Sequence, residues 1–258
     1  MQSLKSRLLN EARVRGTIQP ADSNELGMII RERVKLLDRY ETDQILDLDD
    51  IDTSKITDMS SLFTGISLPS YTIIKLSNWD VSKVTDMYSM LPVGSYSISD
   101  LSKWDVSNVT NMYSMFTHCF RFNGDLSKWN VSNVTNMANM FYCCTNFNSD
   151  LSKWNVGRVE RMDDMFNNCV NFNSNLSRWN VSNVEKMTSM FKNCSNFNSD
   201  LSKWDVSKVT NMSRMFYGCD KFNCDLSKWD VSSVYSLDFM FDNTSVKELP
   251  SWFLHHVM

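Results

Sequence analysis

The sequence predicts a repeat solenoid: about eight coils of short parallel strands, tight turns and short helical turns, preceded by a helical cap. Three observations predict it. Tryptophan recurs at Trp79, Trp104, Trp129, Trp154, Trp179, Trp204 and Trp229, always 25 residues apart. A fixed period of this length is the signature of stacked repeat units. Between successive tryptophans the apolar positions Trp104, Val106, Val109, Met112, Met115, Phe116, Cys119, Phe122 and Leu126 lie mostly two to four apart. That spacing suits neither one long helix nor one long strand. It suits a coil of short legs, each pointing one residue inward. The pattern also decays at both ends, as expected of repeats that meet a cap rather than a neighbour.

Residues 1–20 form a basic N-terminal arm, in which Lys5, Arg7, Arg13 and Arg15 oppose only Glu11. Leu4, Leu8 and Leu9 line one side of a short amphipathic helix, one too short to be stable alone. Gly16 and Pro20 break it. Residues 21–45 hold the predicted helical N-cap, running from Asp22 to about Tyr40. Asp22 is the candidate N-cap residue and Glu25 its capping-box partner. Leu26, Ile29, Ile30, Val34 and Leu37 fall on one helical face. A raw solenoid end exposes core and needs such a cover.

The repeats occupy residues 46–243. The first is degenerate, with Ile51 at the tryptophan position and Met59 at the first methionine position. Ile51 to Trp79 is 28 residues, so about three are inserted, near Gly65–Tyr71. The second is irregular at Leu91-Pro-Val-Gly94. Five near-perfect repeats follow, from Trp104 to Lys228. Val-Thr-Asn-Met is β-branched and predicts a strand, Asp-Leu-Ser-Lys-Trp a second, and Ser-Met-Phe a helical turn. In-register coils spaced about 4.8 Å apart give a stack about 40 Å long. Residues 244–258 form a C-terminal cap, with Trp252, Phe253 and Leu254 over the last coil.

The columns that this stacking builds are expected to be core. Two are methionine (Met112 to Met212 and Met115 to Met215) and two phenylalanine (Phe116 to Phe216 and Phe122 to Phe222). Each buried tryptophan removes about 150–250 Å² from water, an upper bound of about 4–6 kcal/mol before entropy. The Asn123-type and Ser102-type columns are read as structural ladders coupling the coils. Asp100, Asp125, Asp150, Asn175, Asp200 and Asp225 run beside Lys103, Lys128, Lys153, Arg178, Lys203 and Lys228. They form either a mutually neutralising, solvated stripe or a basic ladder for an acidic partner or anionic glycan.

Composition excludes several classes. The formal net charge is −4, so no overall field draws the chain to nucleic acid. No run of 18 apolar residues exists to form a membrane span. The first residues carry charges within their apolar stretch, unlike a secretory signal, and a cytoplasmic location, or a particle assembled there, is expected over the cell surface. Five of the seven cysteines (Cys119, Cys144, Cys169, Cys194, Cys219) keep the 25-residue period. They read as a column of free buried thiols, the alternative being a disulfide or metal ladder. Only three histidines occur, and no phosphate loop, zinc pattern or nucleophile elbow appears. No catalytic residue, metal site or cofactor is assigned, and His255–His256 lacks nearby carboxylates.

The unit Trp-[Asp/Asn]-Val-Ser-x-Val-Thr-Asn-Met-x-x-Met-Phe-x-x-Cys-x-x-Phe-Asn-x-Asp-Leu-Ser-Lys resembles the 25/26-residue repeat of bacterial surface proteins. These are the BspA-like relatives of leucine-rich repeats, found also in Mycoplasma and Listeria surface proteins, and similar repeats occur in large viruses and phages. The resemblance spans about residues 47–243. It implies a right-handed solenoid of leucine-rich-repeat type and a protein-binding or adhesive role rather than catalysis. The solvent positions carry the candidate partner contacts: Tyr113, Tyr142, Lys192 and Tyr217, the ladder members Lys128, Lys153, Arg178 and Lys203, and the arm residues Lys5, Arg7, Arg13 and Arg15. The expected partner is a protein, a larger assembly or a host surface molecule. An alternative is a structural component of a particle, such as a virion, docked through the arm.

Overall fold

The computed structural model describes residues 17–38, 40–41 and 43–257. The arm residues Lys5, Arg7, Arg13 and Arg15 lie outside the described residues. Helix α1 (Ser23–Val34) comes first, then three short strands, β1 (Ile45–Asp47), β2 (Ile73–Lys75) and β3 (Ser97–Ile98), and helix α2 (Ser251–Val257) closes the chain. The strands form one parallel sheet in the order β1-β2-β3. A further series of single parallel bridges runs from Asp58 through Asp86, Asn111, Asn136, Arg161, Lys186 and Asn211 to Ser236. From Asp86 on, each step is 25 residues, so one coil of chain lies on the next in register.

The region expected to be a strand is built differently. In the coil of Trp104, the amides of Met112, Ser114, Phe116 and His118 donate to the carbonyls of Asn136, Ala138, Met140 and Tyr142 in the next coil. The intervening peptides fold back within their own coil, as in Met115 to Met112, Thr117 to Ser114 and Cys119 to Phe116. Alternate peptide groups therefore tie coil to coil, and the others close tight turns. The turns need left-handed residues, and two recur per coil: Ser114, Asn139, Asp164, Ser189 and Arg214 at one position, and His118, Cys143, Asn168, Asn193 and Gly218 at the other. All have φ between 45° and 68°, a region costly to ordinary residues and open to Asn, Asp and Gly. Val-Thr-Asn-Met thus keeps one bridge per coil rather than a strand, and Asp-Leu-Ser-Lys-Trp forms turns. True strands occur only in the early coils, where β-branched Ile73-Ile74 replaces the later Asn-x-Asp.

Side chains seal the remaining joints. The indole N–H of Trp154 donates to the carbonyl of Leu126 at 2.9 Å, and the same bond recurs from Trp79 to Trp229. The indoles stack parallel at 6.3–6.5 Å. The asparagine column couples side chain to backbone: Asn123, Asn148, Asn173 and Asn198 each accept the amide of the next asparagine. The periodic cysteines are free and buried. They do more than fill space, because the thiols of Cys144, Cys169, Cys194 and Cys219 donate to carbonyls of the preceding coil at 2.9 Å. Tryptophan, valine, methionine, cysteine and phenylalanine columns join in one continuous core.

The ends differ from the sequence expectation in four places. Helix α1 stops at Val34 rather than near Tyr40, and Leu36 and Tyr40 stand in solvent. Arg33 ties the helix end to Asp50 and to the Asp47 carbonyl, and beyond it the chain turns toward β1. Asp22 caps the Glu25 amide as expected, while the Glu25 carboxylate accepts from Ala21 instead of Asp22. Ile18, assigned to the arm, is buried and bridges Ile51, so the stack starts earlier. At the other end Trp252 stacks on Trp229 and donates to Leu226, repeating the tryptophan pattern on a helix. Phe253 packs edge-on against Phe241, whereas Leu254 faces solvent.

Candidate functional site

The ladder segment that ties the coils also presents a varied surface. Its inward positions are nearly constant, and its outward ones change from coil to coil. Tyr88, Tyr113, Asp163, Thr188 and Ser213 form one outward column, interrupted by the buried Ala138, and Thr117, Tyr142, Lys192 and Tyr217 another, interrupted by the buried Asn167. Elsewhere on the coil the Asn123-type and Lys128-type columns repeat almost unchanged, whereas the column of Phe120, Thr145, Val170, Ser195 and Asp220 also varies. A rigid, regular backbone here displays an irregular set of side chains.

These side chains meet in pairs across coils. Tyr113 stacks on Tyr88 at 5.1 Å. Tyr142 meets the His118 ring edge-on at 5.1 Å. Lys192 lies 5.8 Å from the centre of the Tyr217 ring. Of the residues expected to bind, Tyr113, Tyr142, Lys192 and Tyr217 thus share this face, each partly buried. Three further contacts extend it: Arg214 over Phe239, Lys186 over Tyr235, and an ion pair between Arg161 and Asp163. Sequence reasoning missed Tyr88, His118, Lys186, Arg214, Tyr235 and Phe239. Their signal was departure from the repeat consensus on the ladder, legible only once the ladder's outward positions are known.

A polar network crosses the middle of the face. Asn167 donates to Asp164, Asn168 to Asn167, and Asn193 to Asn168, at 2.7–2.9 Å. Burial holds the Asp164 carboxyl above its usual range, although Asn167 pulls the other way. The Tyr142 hydroxyl is raised mainly by the neighbouring Cys143, and burial raises the Cys143 thiol itself. A thiol raised in this way is a poor nucleophile. Burial raises the column thiols further, Cys119 to about 12, and neighbouring cysteines add to it at Cys144, Cys169 and Cys194.

The ladder residues Lys128, Lys153, Arg178 and Lys203 sit on a different face and do not join this site. They are exposed, and none forms an ion pair among the described residues. Each aspartate turns to its own backbone, as Asp125 accepts the amide of Ser127 at 2.9 Å and Asp150 that of Ser152. Those serine bonds are the main cause that holds the aspartates below the usual carboxylate range, and the neighbouring Lys128 and Lys153 add a smaller lowering. The reason is distance along the chain: an amide two residues on closes a local turn with no loss of lysine side-chain entropy.

No group of three metal-ligating side chains converges among the described residues. Among the described residues no helix is long and apolar enough to cross a membrane.

The sequence family described as "Mycoplasma protein of unknown function, DUF285" matches residues 35–152 and again residues 135–252. The second match is displaced from the first by 100 residues (35 to 135), four periods of 25. No curated protein and no solved structure matches the chain.

Proposed function

The chain belongs to the DUF285 family, and on that premise we propose a non-enzymatic protein-binding module that displays side chains on a rigid, leucine-rich-repeat-type solenoid of the BspA-like kind. The observation that carries this reading is the gathering on one face of partly buried tyrosines beside cations and rings, Lys192 with Tyr217 and Tyr142 with His118, residue types that anchor interfaces. Repeat scaffolds bind through such extended surfaces, because the stacked backbone needs no ordering on association. The half-buried position of Tyr142 and Tyr217 supports the same reading, since less rotamer freedom is lost when a partner covers them.

The test compares two variants as affinity baits in an extract of the source cells. One carries Tyr142→Ala, Lys192→Ala and Tyr217→Ala; the other carries Lys128→Ala, Lys153→Ala and Lys203→Ala. A partner retained by the second bait and lost from the first supports the ladder face. Loss from the second alone would move the site to the lysine ladder, and loss from neither would remove both surfaces.

A further inference from the structure

Every coil but the last hands its ladder amides forward. In the coil of Trp204, the amides of Met212, Arg214, Phe216 and Gly218 donate to the carbonyls of Ser236, Asp238, Met240 and Asp242. The equivalent amides of the last coil are those of Leu237, Phe239, Phe241 and Asn243. Among the described residues none of the four has an acceptor. Helix α2 does not supply one: Trp252 and Phe253 cover the tryptophan side of the coil, and the chain leaves the ladder at Thr244. Phe239 is 54% exposed and Tyr235 65%, so the edge around them is open. At the opposite end α1 lies against the first coil, where Ser23 donates to the Asp58 carbonyl and Leu62 is buried beside Gly27.

We propose that this edge docks the basic N-terminal segment, residues 1–16, of a second copy of the chain, laid down as a further run of backbone along Leu237–Asn243. The chemistry of the edge selects the occupant. A row of N–H donors requires a row of carbonyls, which an extended segment supplies as added strands do at sheet edges. The exposed carboxylates Asp238 and Asp242 flank the row and favour basic side chains. Phe239 and Tyr235 favour apolar ones between them. Residues 1–16 offer both, with Lys5, Arg7, Arg13 and Arg15 among Leu4, Leu8, Leu9 and Val14. They join the stack at Ile18, at the far end from this edge, so a second copy presents them without crossing the stack. The contact is head-to-tail, which builds open chains of copies unless a rotation closes a ring.

Charge exchange between variants tests it, using the full chain and sedimentation velocity over a concentration series. The unaltered protein is expected to self-associate. Asp238→Lys with Asp242→Lys should be monomeric, since both segment and edge are then basic. Arg13→Glu with Arg15→Glu should also be monomeric, both being acidic. Mixing the two variants should restore association, in chains that alternate the two, because each variant's segment then meets an edge of opposite charge. Loss of protection at the Phe239 and Asn243 amides in hydrogen exchange should accompany each monomeric state. Circular dichroism and thermal unfolding like the parent's establish that each variant is folded. A parent that stays monomeric at all concentrations, association that survives both reversals, or a mixture that stays monomeric would each overturn the proposal.

Discussion

Asp125 illustrates how single residues here serve the backbone before they serve the surface. Its carboxylate accepts the Ser127 amide, and the same turn is made by Asp52, Asp80, Asp100, Asp150, Asp200, Asp205, Asp225 and Asp230. All nine are held below the usual range, with the serine bond as the main lowering cause. A carboxyl whose folded value is depressed contributes in full above its unfolded value, about 3.9, and that contribution disappears as pH falls through the lower folded value. Stability to urea should therefore decline below about pH 4. Asn130, Asn155, Asn175 and Asn180 make the same bond without a titrating group. Asp125→Asn with Asp150→Asn should then lose less stability between neutral and acid pH than the parent, and an unchanged acid slope would contradict the assignment. The thiols give a second check. Only Cys143 and Cys224 are partly exposed among the seven, so a maleimide should label these two in the native protein and the other five only after denaturation.

At the scale of the element, the ladder depends on residues that tolerate positive φ. Ser189 sits at φ 54° with no side-chain bond of its own to lose. Ser189→Gly should leave the melting temperature nearly unchanged. Ser189→Val should cost about 1–2 kcal/mol or more, because a β-branched residue is disfavoured in the left-handed region; equal melting for both would mean that the turn geometry is not limiting. The indole bond is the other element-scale device. Trp154→Phe keeps a stacked ring and removes one of the two donors to the Leu126 carbonyl, which retains the Trp129 amide, an expected loss of about 0.5–1.5 kcal/mol. Trp154→Ala removes the ring as well, and about 3–5 kcal/mol is expected; chemical denaturation measures both.

For the whole molecule, contacts run almost wholly between neighbouring coils, so the stack behaves as a linear array. Removing residues 129–153, one full period, should leave a folded protein, since Lys128 then meets Trp154 in register and every ladder bond finds its equivalent. The urea m-value should fall by about an eighth, in line with the surface removed on folding. Removing 12 residues instead should unfold the chain, because it puts core residues on the outside. Failure of the 25-residue deletion to fold would show coupling beyond nearest neighbours.

The sequence by itself determined the period, the inward columns, the N-terminal helix and the presence of a cap at the C-terminal end. A 25-residue repeat of Trp, Val, Met, Phe and Cys has no other way to bury so many large side chains than to stack its copies. It did not determine how the coils join. The ladder of alternating peptides rests on left-handed residues as different as Ser114, Asn139, Asp164 and Arg214, whose side chains have no common chemistry for a pattern search to find. The same holds for the site: Tyr142, Lys192 and Tyr217 stood out as varied positions, but their union on one face, and the separation of Lys128 from it, follow from which peptides point along the stack. The open amide edge at Leu237–Asn243 is likewise a property of the fold alone, because an amide lacks a partner only relative to a coil that is not there.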